Sequence, residues 1–321
     1  MNNTNHSLSS KEVHWLLTSP ALFAQIPDIP LMPVEDRSRI SQALRQSFFS
    51  AENSEQHTIH SRVSLGHRAE MLLAQALSHC PEIELIAQQQ TIRISAQNAQ
   101  TIGELDLLYD DHVRQRRVHC ELSVRIILQR HPQAEWSAWC GTDPRQLFSD
   151  KLRRLRDHQL PLGQHPDVPR HPTWPTISEA LILGWALQPI DQQWPDLLGA
   201  AADHLRGWWL RHGEHDIPRA SRAARFVIIP PDHWMAFVEL PNATSVLAPG
   251  ELATHLRHHF SNHENAVFVA EVTRNAHGQW QEVTRGAVVH DRWPEMPLNL
   301  NAAVGTQTST AKAQRRKENK D

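Results

Sequence analysis

The sequence predicts an α/β protein whose central part runs α-β-β-β-α-β. Three observations carry that expectation. Leu65, Ala69, Leu72, Leu73, Ala76 and Leu77 fall on one face at helical spacing. Three strand-like stretches follow, at about 83–95, 102–109 and 117–128, with Ile92 and Ile94 alternating with Arg93 and Ser95 in the first. ALILGWAL, residues 180–187, then reads as a buried strand.

Taken in order, residues 1–64 form a helical N-terminal segment and a linker. Apolar positions such as Val13, Leu16 and Leu17 suggest helix over 11–48, with a proline-rich break at 27–33, and 50–64 is a polar connection. The core spans 65–190. Its first helix covers 65–78, with Glu70 at the border of the apolar face, and Asp110-Asp111 opens the loop between the second and third strands. A helix from Pro144 to about Leu160 follows, with Thr142 or Asp143 as N-cap and proline at the first helical position. Residues 163–175 are a Pro/His loop.

An α+β extension occupies 191–300. Helix is expected at about 199–211, carrying Trp208 and Trp209, and again at 249–260. RFVIIP and WMAFVEL suggest one hairpin around Pro231-Asp232-His233, and AVFVAEVTR with QWQEVTR a second around Asn275–Gly278. Residues 301–321 are polar, basic and aperiodic, and are expected to be disordered.

The 321 residues are 40% hydrophobic and 21% charged, a globular balance. The opening residues, MNNTNHSLSSKEVHWLL, lack a basic stretch followed by an apolar one, so no signal peptide is expected. No apolar run approaches roughly 18 residues, so no membrane-spanning helix is expected. Cys80, Cys120 and Cys140 form no paired motif, which fits free, buried thiols in a reducing cytoplasm. A net charge of -3 argues against a general nucleic-acid coat. A local basic region remains, because Arg114, Arg116, Arg117, Arg125, Arg130, Lys151, Arg153, Arg154 and Arg156 cluster along the central part. Walker A, GxGxxG and GxSxG patterns are absent.

Asp106 and Glu121 are the residues with a chemical message. Each sits inside a run that otherwise reads as buried strand, where an unpartnered carboxylate is costly. Side chains alternate along a strand, so Glu104, Asp106 and Leu108 share one face, as do Glu121, Ser123 and Arg125. If the two strands pair as a hairpin, Asp106 and Glu121 meet. Such a pair suits Mg²⁺ or Mn²⁺, with the Leu122 carbonyl as a further oxygen and Glu70 as an outer ligand. The alternative is an ion-pair network with the nearby arginines. His255, His259 and His263 share helical spacing, but nothing nearby completes a zinc set, and chance accounts for them in a chain with 22 histidines. Trp185, Trp208 and Trp209 read as core rather than as base-stacking platforms.

The GELD of Gly103–Asp106, a loop, and the strand carrying Glu121 together resemble the PD-(D/E)XK nuclease superfamily, whose members share an α-β-β-β-α-β core. On that resemblance Asp106 matches the metal-binding aspartate, Glu121 the acidic residue of the second motif, and Glu70 the acidic residue of the first core helix. GELDLL, ELSVR, DKLRRLRDHQLPLG, LILGWAL, HLRGWW and RGAVVHDRWP further resemble a bacterial uncharacterised family, domain of unknown function family 1853, over about 60–295. The resemblance implies a metal-dependent nuclease acting on DNA or RNA. One position departs from the pattern: Ser123 stands where the superfamily lysine is expected. Two basic residues are candidates to replace it. Arg125 lies two positions on, on the same strand face. Lys151 falls within the apolar arc of Leu147, Phe148, Leu152 and Leu155, so it faces inward and needs a partner. In some nucleases of the superfamily the lysine has moved to this helix. The same departure supports the alternative of a catalytically inactive module that binds nucleic acid or a protein partner.

Overall fold

The computed structural model describes residues 4–48, 64–94, 100–164, 175–214 and 223–295. Most of the expected 50–64 linker and of the 163–175 loop, and all of the 301–321 tail, lie outside the described residues. The chain is a mixed α/β protein built on one large sheet.

Two helices come first, α1 (Thr4–Thr18) and α2 (Val34–Phe48). The break between them is wider than the proline cluster alone suggests. Residues 19–33 run without helix and hydrogen-bond along a later strand. The amide of Leu22 donates to the Ile182 carbonyl, that of Met32 to the Ala180 carbonyl, and that of Ala180 back to the Pro30 carbonyl. Helix α3 (Leu65–Ser78) matches the expected helix, capped by the Ser64 hydroxyl, which accepts from the His67 amide.

Strands β1 (Ile83–Ile94), β2 (Gln100–Asp111) and β3 (Arg116–Gln129) form an antiparallel meander. Asp110 and Asp111 end β2 rather than standing in the loop, and Asp111 Oδ1 accepts the Val113 and Arg114 amides to close the turn. Short β4 (Trp139–Cys140) pairs with the end of β3.

The expected 144–160 helix is shorter and starts later. Regular helix α4 covers only Phe148–Arg154, followed by a π turn over Leu155–Gln159 and a 3₁₀ segment over Leu160–Gln164. Asp143 caps a turn instead of the helix: its Oδ1 accepts the Arg145 amide, and its carbonyl accepts the Gln146 amide. Pro144 therefore lies in that turn and not at the first helical position.

Strand β5 (Ile177–Pro189) covers the expected 180–187 strand and runs parallel to β3 from Val118–Ile177 to Leu128–Leu187. Its side chains divide strictly between the faces. Leu181, Leu183, Trp185 and Leu187 join the core under α1, α2 and α3, while Ala180, Ile182 and Ala186 join the one under α4.

Residues 205–211, expected to be helical, are instead strand β6 (Leu205–Arg211), parallel to both β5 and β10 (Trp280–Val289). A strand inside a parallel block is covered on both faces. Its sequence is then a continuous apolar run, which periodicity cannot separate from a buried helix. Trp208 and Trp209 point to opposite faces, into different cores, and both are buried, as is Trp185.

The first expected C-terminal hairpin does not form. Strand β7 (Arg225–Ile228) pairs with β9 (Val267–Arg274), and β8 (Glu239–Leu240) pairs with β10. Pro230 and Pro231 remove two ladder donors, and Pro231–His233 forms a 3₁₀ turn. Helix α5 (Pro249–Phe260) and the β9–β10 hairpin match their expectations, with Asn275 Oδ1 accepting the His277 and Gln279 amides and Gly278 at φ +76. The sheet runs β1-β2-β3-β5-β6-β10-β9-β7, so segments 65–190 and 191–300 contribute to one sheet. Cys80, Cys120 and Cys140 are free and buried. Among the described residues no helix is long and apolar enough to cross a membrane.

A buried carboxylate pair as candidate metal centre

The site begins where two strands part. The β2–β3 ladder runs from Asp111–Arg116 to Leu107–Cys120 and stops there, while β2 continues against β1 and β3 continues against β5. Asp106 and Glu121 are the first residues past the fork. The Leu122 amide, left without a partner on β2, donates to Asp106 Oδ2 at 3.2 Å. A side chain thus replaces a ladder bond and holds the aspartate in the fork. In this arrangement Leu122 contributes its amide.

Asp106 and Glu121 meet as expected, close enough for each to act on the other. Burial, the repulsion between them and the charge of Glu70 push Asp106 up to about 8, against an opposing pull from Lys151. Burial raises Glu121 to about 7, with Lys151 again pulling the other way. Burial is thus the largest cause of both shifts.

Two residues that the sequence reading did not single out hold Glu121 in place. His119 lies on the same strand face, two residues before it. Its Nε2 is 2.9 Å from Glu121 Oε1, and its Nδ1 is 3.2 Å from Ser178 Oγ. Burial lowers the imidazole to about 4, so it is neutral. The network assigns its one proton to Nε2, donating to Glu121, with Nδ1 accepting from Ser178. Period-two spacing was the available signal for His119. Gln159 donates from Nε2 to Glu121 Oε2 and accepts at Oε1 from Lys151 Nζ at 2.8 Å. No local signal marks Gln159, because its position depends on the π turn.

Lys151 faces the site from α4, as its place in the apolar arc suggested. Burial and the nearby Arg125 charge lower its pKa, partly offset by Glu121 and Asp106. Arg125 reaches solvent, yet crowding protein atoms and Arg154 lower its pKa. Ser123 lies between Glu121 and Arg125 on the same face, buried, with an Oγ that has no hydrogen-bond partner among the described residues. Glu70 stands apart. Its carboxylate accepts from Gln89 Nε2 at 2.9 Å and lies 3.5 Å from His67 Nδ1, and its charge reaches Asp106 and Arg125 only through space.

Much of the expected basic region is tied up elsewhere. Arg117 pairs with Asp110, Arg114 with Glu179, Arg153 with Asp150 and Arg156 with Asp157. Among the described residues no group of three or more His, Cys, Asp or Glu side chains is placed to hold a metal ion. The donor set is thus two hard carboxylates. That fits an ion which completes its shell with water and substrate oxygens, and it does not fit a tetrahedral zinc cage.

Fold and site together describe a mixed α/β protein with a buried, positively flanked carboxylate pair at a strand fork. The family described as Domain of unknown function (DUF1853) matches residues 11–289, and the chain belongs to that family. Searches of curated proteins and of solved structures returned no match.

Proposed function

We propose that the chain is a metal-dependent phosphodiesterase acting on DNA or RNA, with a PD-(D/E)XK nuclease-like core over 65–190, working in a reducing cytoplasm. The observation that carries this reading is the Asp106–Glu121 pair at the β2–β3 fork, tied through Gln159 to Lys151. The chain order α3-β1-β2-β3-α4-β5 and the GELD sequence of β2 support it. Asp106 and Glu121 would hold Mg²⁺ or Mn²⁺. When bound, such an ion polarises a phosphoryl oxygen and makes a bound water more acidic. His119 and Gln159 orient Glu121. Lys151 brings a cation beside the pair, and its lowered pKa makes it readier to exchange a proton than a solvated lysine. Arg125 stays protonated and balances phosphate charge from the solvent side. Glu70 acts at one remove, through its field on Asp106 and Arg125.

A second reading is supported by Ser123. A buried hydroxyl without a partner among the described residues replaces the expected lysine, which suits a non-catalytic module that binds nucleic acid or a protein partner. Calorimetric titration of Mn²⁺ separates the two, run with and without a short duplex, beside Asp106→Ala and Glu121→Ala. Binding by the parent and loss in both variants is expected, followed by Mn²⁺-dependent cleavage that Lys151→Ala abolishes. Absence of Mn²⁺ binding under both conditions sinks the catalytic reading and leaves the second.

A further inference from the structure

A recess of about 540 Å³ lies between the end of α1, one face of α2 and the turn at 201–203, and it shares no lining residue with the carboxylate site. Arg37 forms part of its wall. This arginine is 5% exposed, and among the described residues its Nη1 has no hydrogen-bond partner. Burial pulls its pKa down, and Asp203, in the same wall, offsets this only through space. Arg285, the other fully buried arginine among the described residues, is matched directly by Glu282. A buried charge without a direct partner is costly, and it persists where something else supplies the counter-charge.

The rest of the wall indicates what that is. Hydroxyls of Ser38 and Ser41 and the amide of Gln42 supply donors, and the exposed Arg45 adds a second positive charge. Leu17, Phe23 and Val34 supply an apolar side, and Val34 is 59% exposed at its rim. The volume falls in the range of small-molecule sites, which are mostly apolar with a few placed polar groups.

We infer that this recess binds a small organic anion, a single carboxylate or phosphate group carried on an apolar body, with Arg37 as its counter-charge. The occupant's anionic head neutralises the guanidinium and its body covers Val34 and Phe23. Bare phosphate has no use for the apolar side and binds more weakly.

Calorimetry on the full chain tests this with octanoate and inorganic phosphate as probes. Octanoate is expected to bind saturably in the millimolar range or tighter, and phosphate at least about tenfold more weakly. Arg37→Met is expected to weaken octanoate at least about tenfold without lowering the melting temperature, because it removes a buried charge that lacks a direct partner. Asp203→Asn, an exposed position, is expected to tighten octanoate about threefold by removing a competing negative charge. Octanoate that fails to bind the parent, or that binds Arg37→Met as well as the parent, overturns the proposal. If Arg37→Met does not fold, Asp203→Asn decides, and unchanged octanoate affinity overturns the proposal. Phosphate binding as tightly as octanoate overturns the apolar-body assignment. None of these readouts involves cleavage, so the proposal stands or falls separately from the nuclease reading.

Discussion

Lys151 and Glu121 are joined through one amide rather than by direct contact: Lys151 Nζ donates to Gln159 Oε1 at 2.8 Å, and Gln159 Nε2 donates to Glu121 Oε2. The amide fixes the orientation of the carboxylate and keeps the ammonium near it without letting the two collapse into an ion pair. Partners of this kind tune a metal-binding carboxylate. Gln159→Leu is therefore expected to weaken Mn²⁺ binding about tenfold in the presence of duplex. Calorimetry reads this directly, and parental affinity in the variant would show that the amide does not orient Glu121.

The raised carboxyl pKa values make stability depend on pH. Asp106 and Glu121 titrate near 8 and 7 in the folded chain and far lower when unfolded, so the unfolded chain gives up its protons first. Their contribution is fully present below the ordinary carboxylate range and is lost as pH rises through the folded values. The metal-free protein is expected to lose melting temperature from about pH 4 up to about pH 8 and to level off above that. Asp106→Asn should flatten that fall, and Mn²⁺ should reduce it in the parent. Differential scanning calorimetry across the range is the measurement, and an equally steep fall in Asp106→Asn would refute the assignment.

Ser123 carries a hydroxyl that is buried and, among the described residues, unpartnered. Removing such a group returns its desolvation cost, so Ser123→Ala is expected to be neutral or stabilising by about 1 kcal/mol in urea unfolding. Mn²⁺ affinity should be unchanged. Ser123→Lys adds a cation beside Arg125 and Lys151 in a filled position and is expected to destabilise. A loss of stability in Ser123→Ala would mean that the hydroxyl has a partner the side-chain network does not account for.

Glu12 on α1 accepts from Arg68 on α3 through both oxygens, at 2.9 and 2.7 Å, with the Glu12 side chain 1% exposed. Glu12→Ala leaves the partly buried Arg68 without this carboxylate, and the expected cost is about 2 kcal/mol, below that of breaking a fully buried pair. Glu12→Ala with Arg68→Met should recover much of it. Urea denaturation of the two variants tests whether the pair pins α1 to α3. A double variant no more stable than the single one would argue against it.

Sequence patterning revealed some parts of this molecule and hid others for physical reasons. Helix α3, strands β1 and β2, α5 and the β9–β10 hairpin each have one distinctive face or a strong turn, so their periods survive in the sequence, whereas β3 and β5 are buried on both faces and show as apolar runs bounded by polar residues. Strand β6 lies inside a parallel block, where Trp208 and Trp209 are both buried on opposite faces, and alternation disappears. Asp106 and Glu121 stood out because charge inside a strand is costly. Gln159 did not, because its role follows from a widened helical turn that brings a residue eight positions from Lys151 back to it.

Strand β5 has consequences for anyone cutting the molecule into pieces. Along Ala180–Ile182 its free edge is occupied by residues 22–32, and along Trp185–Pro189 by β6. A fragment limited to 65–190 discards both coverings at once. It would bare unpaired amides and carbonyls along a run whose side chains are almost wholly apolar, the kind of edge on which chains stack into aggregates. Expression of the carboxylate-bearing segment by itself is thus a poor route to a soluble sample, and the two flanking stretches act as built-in guards against self-association.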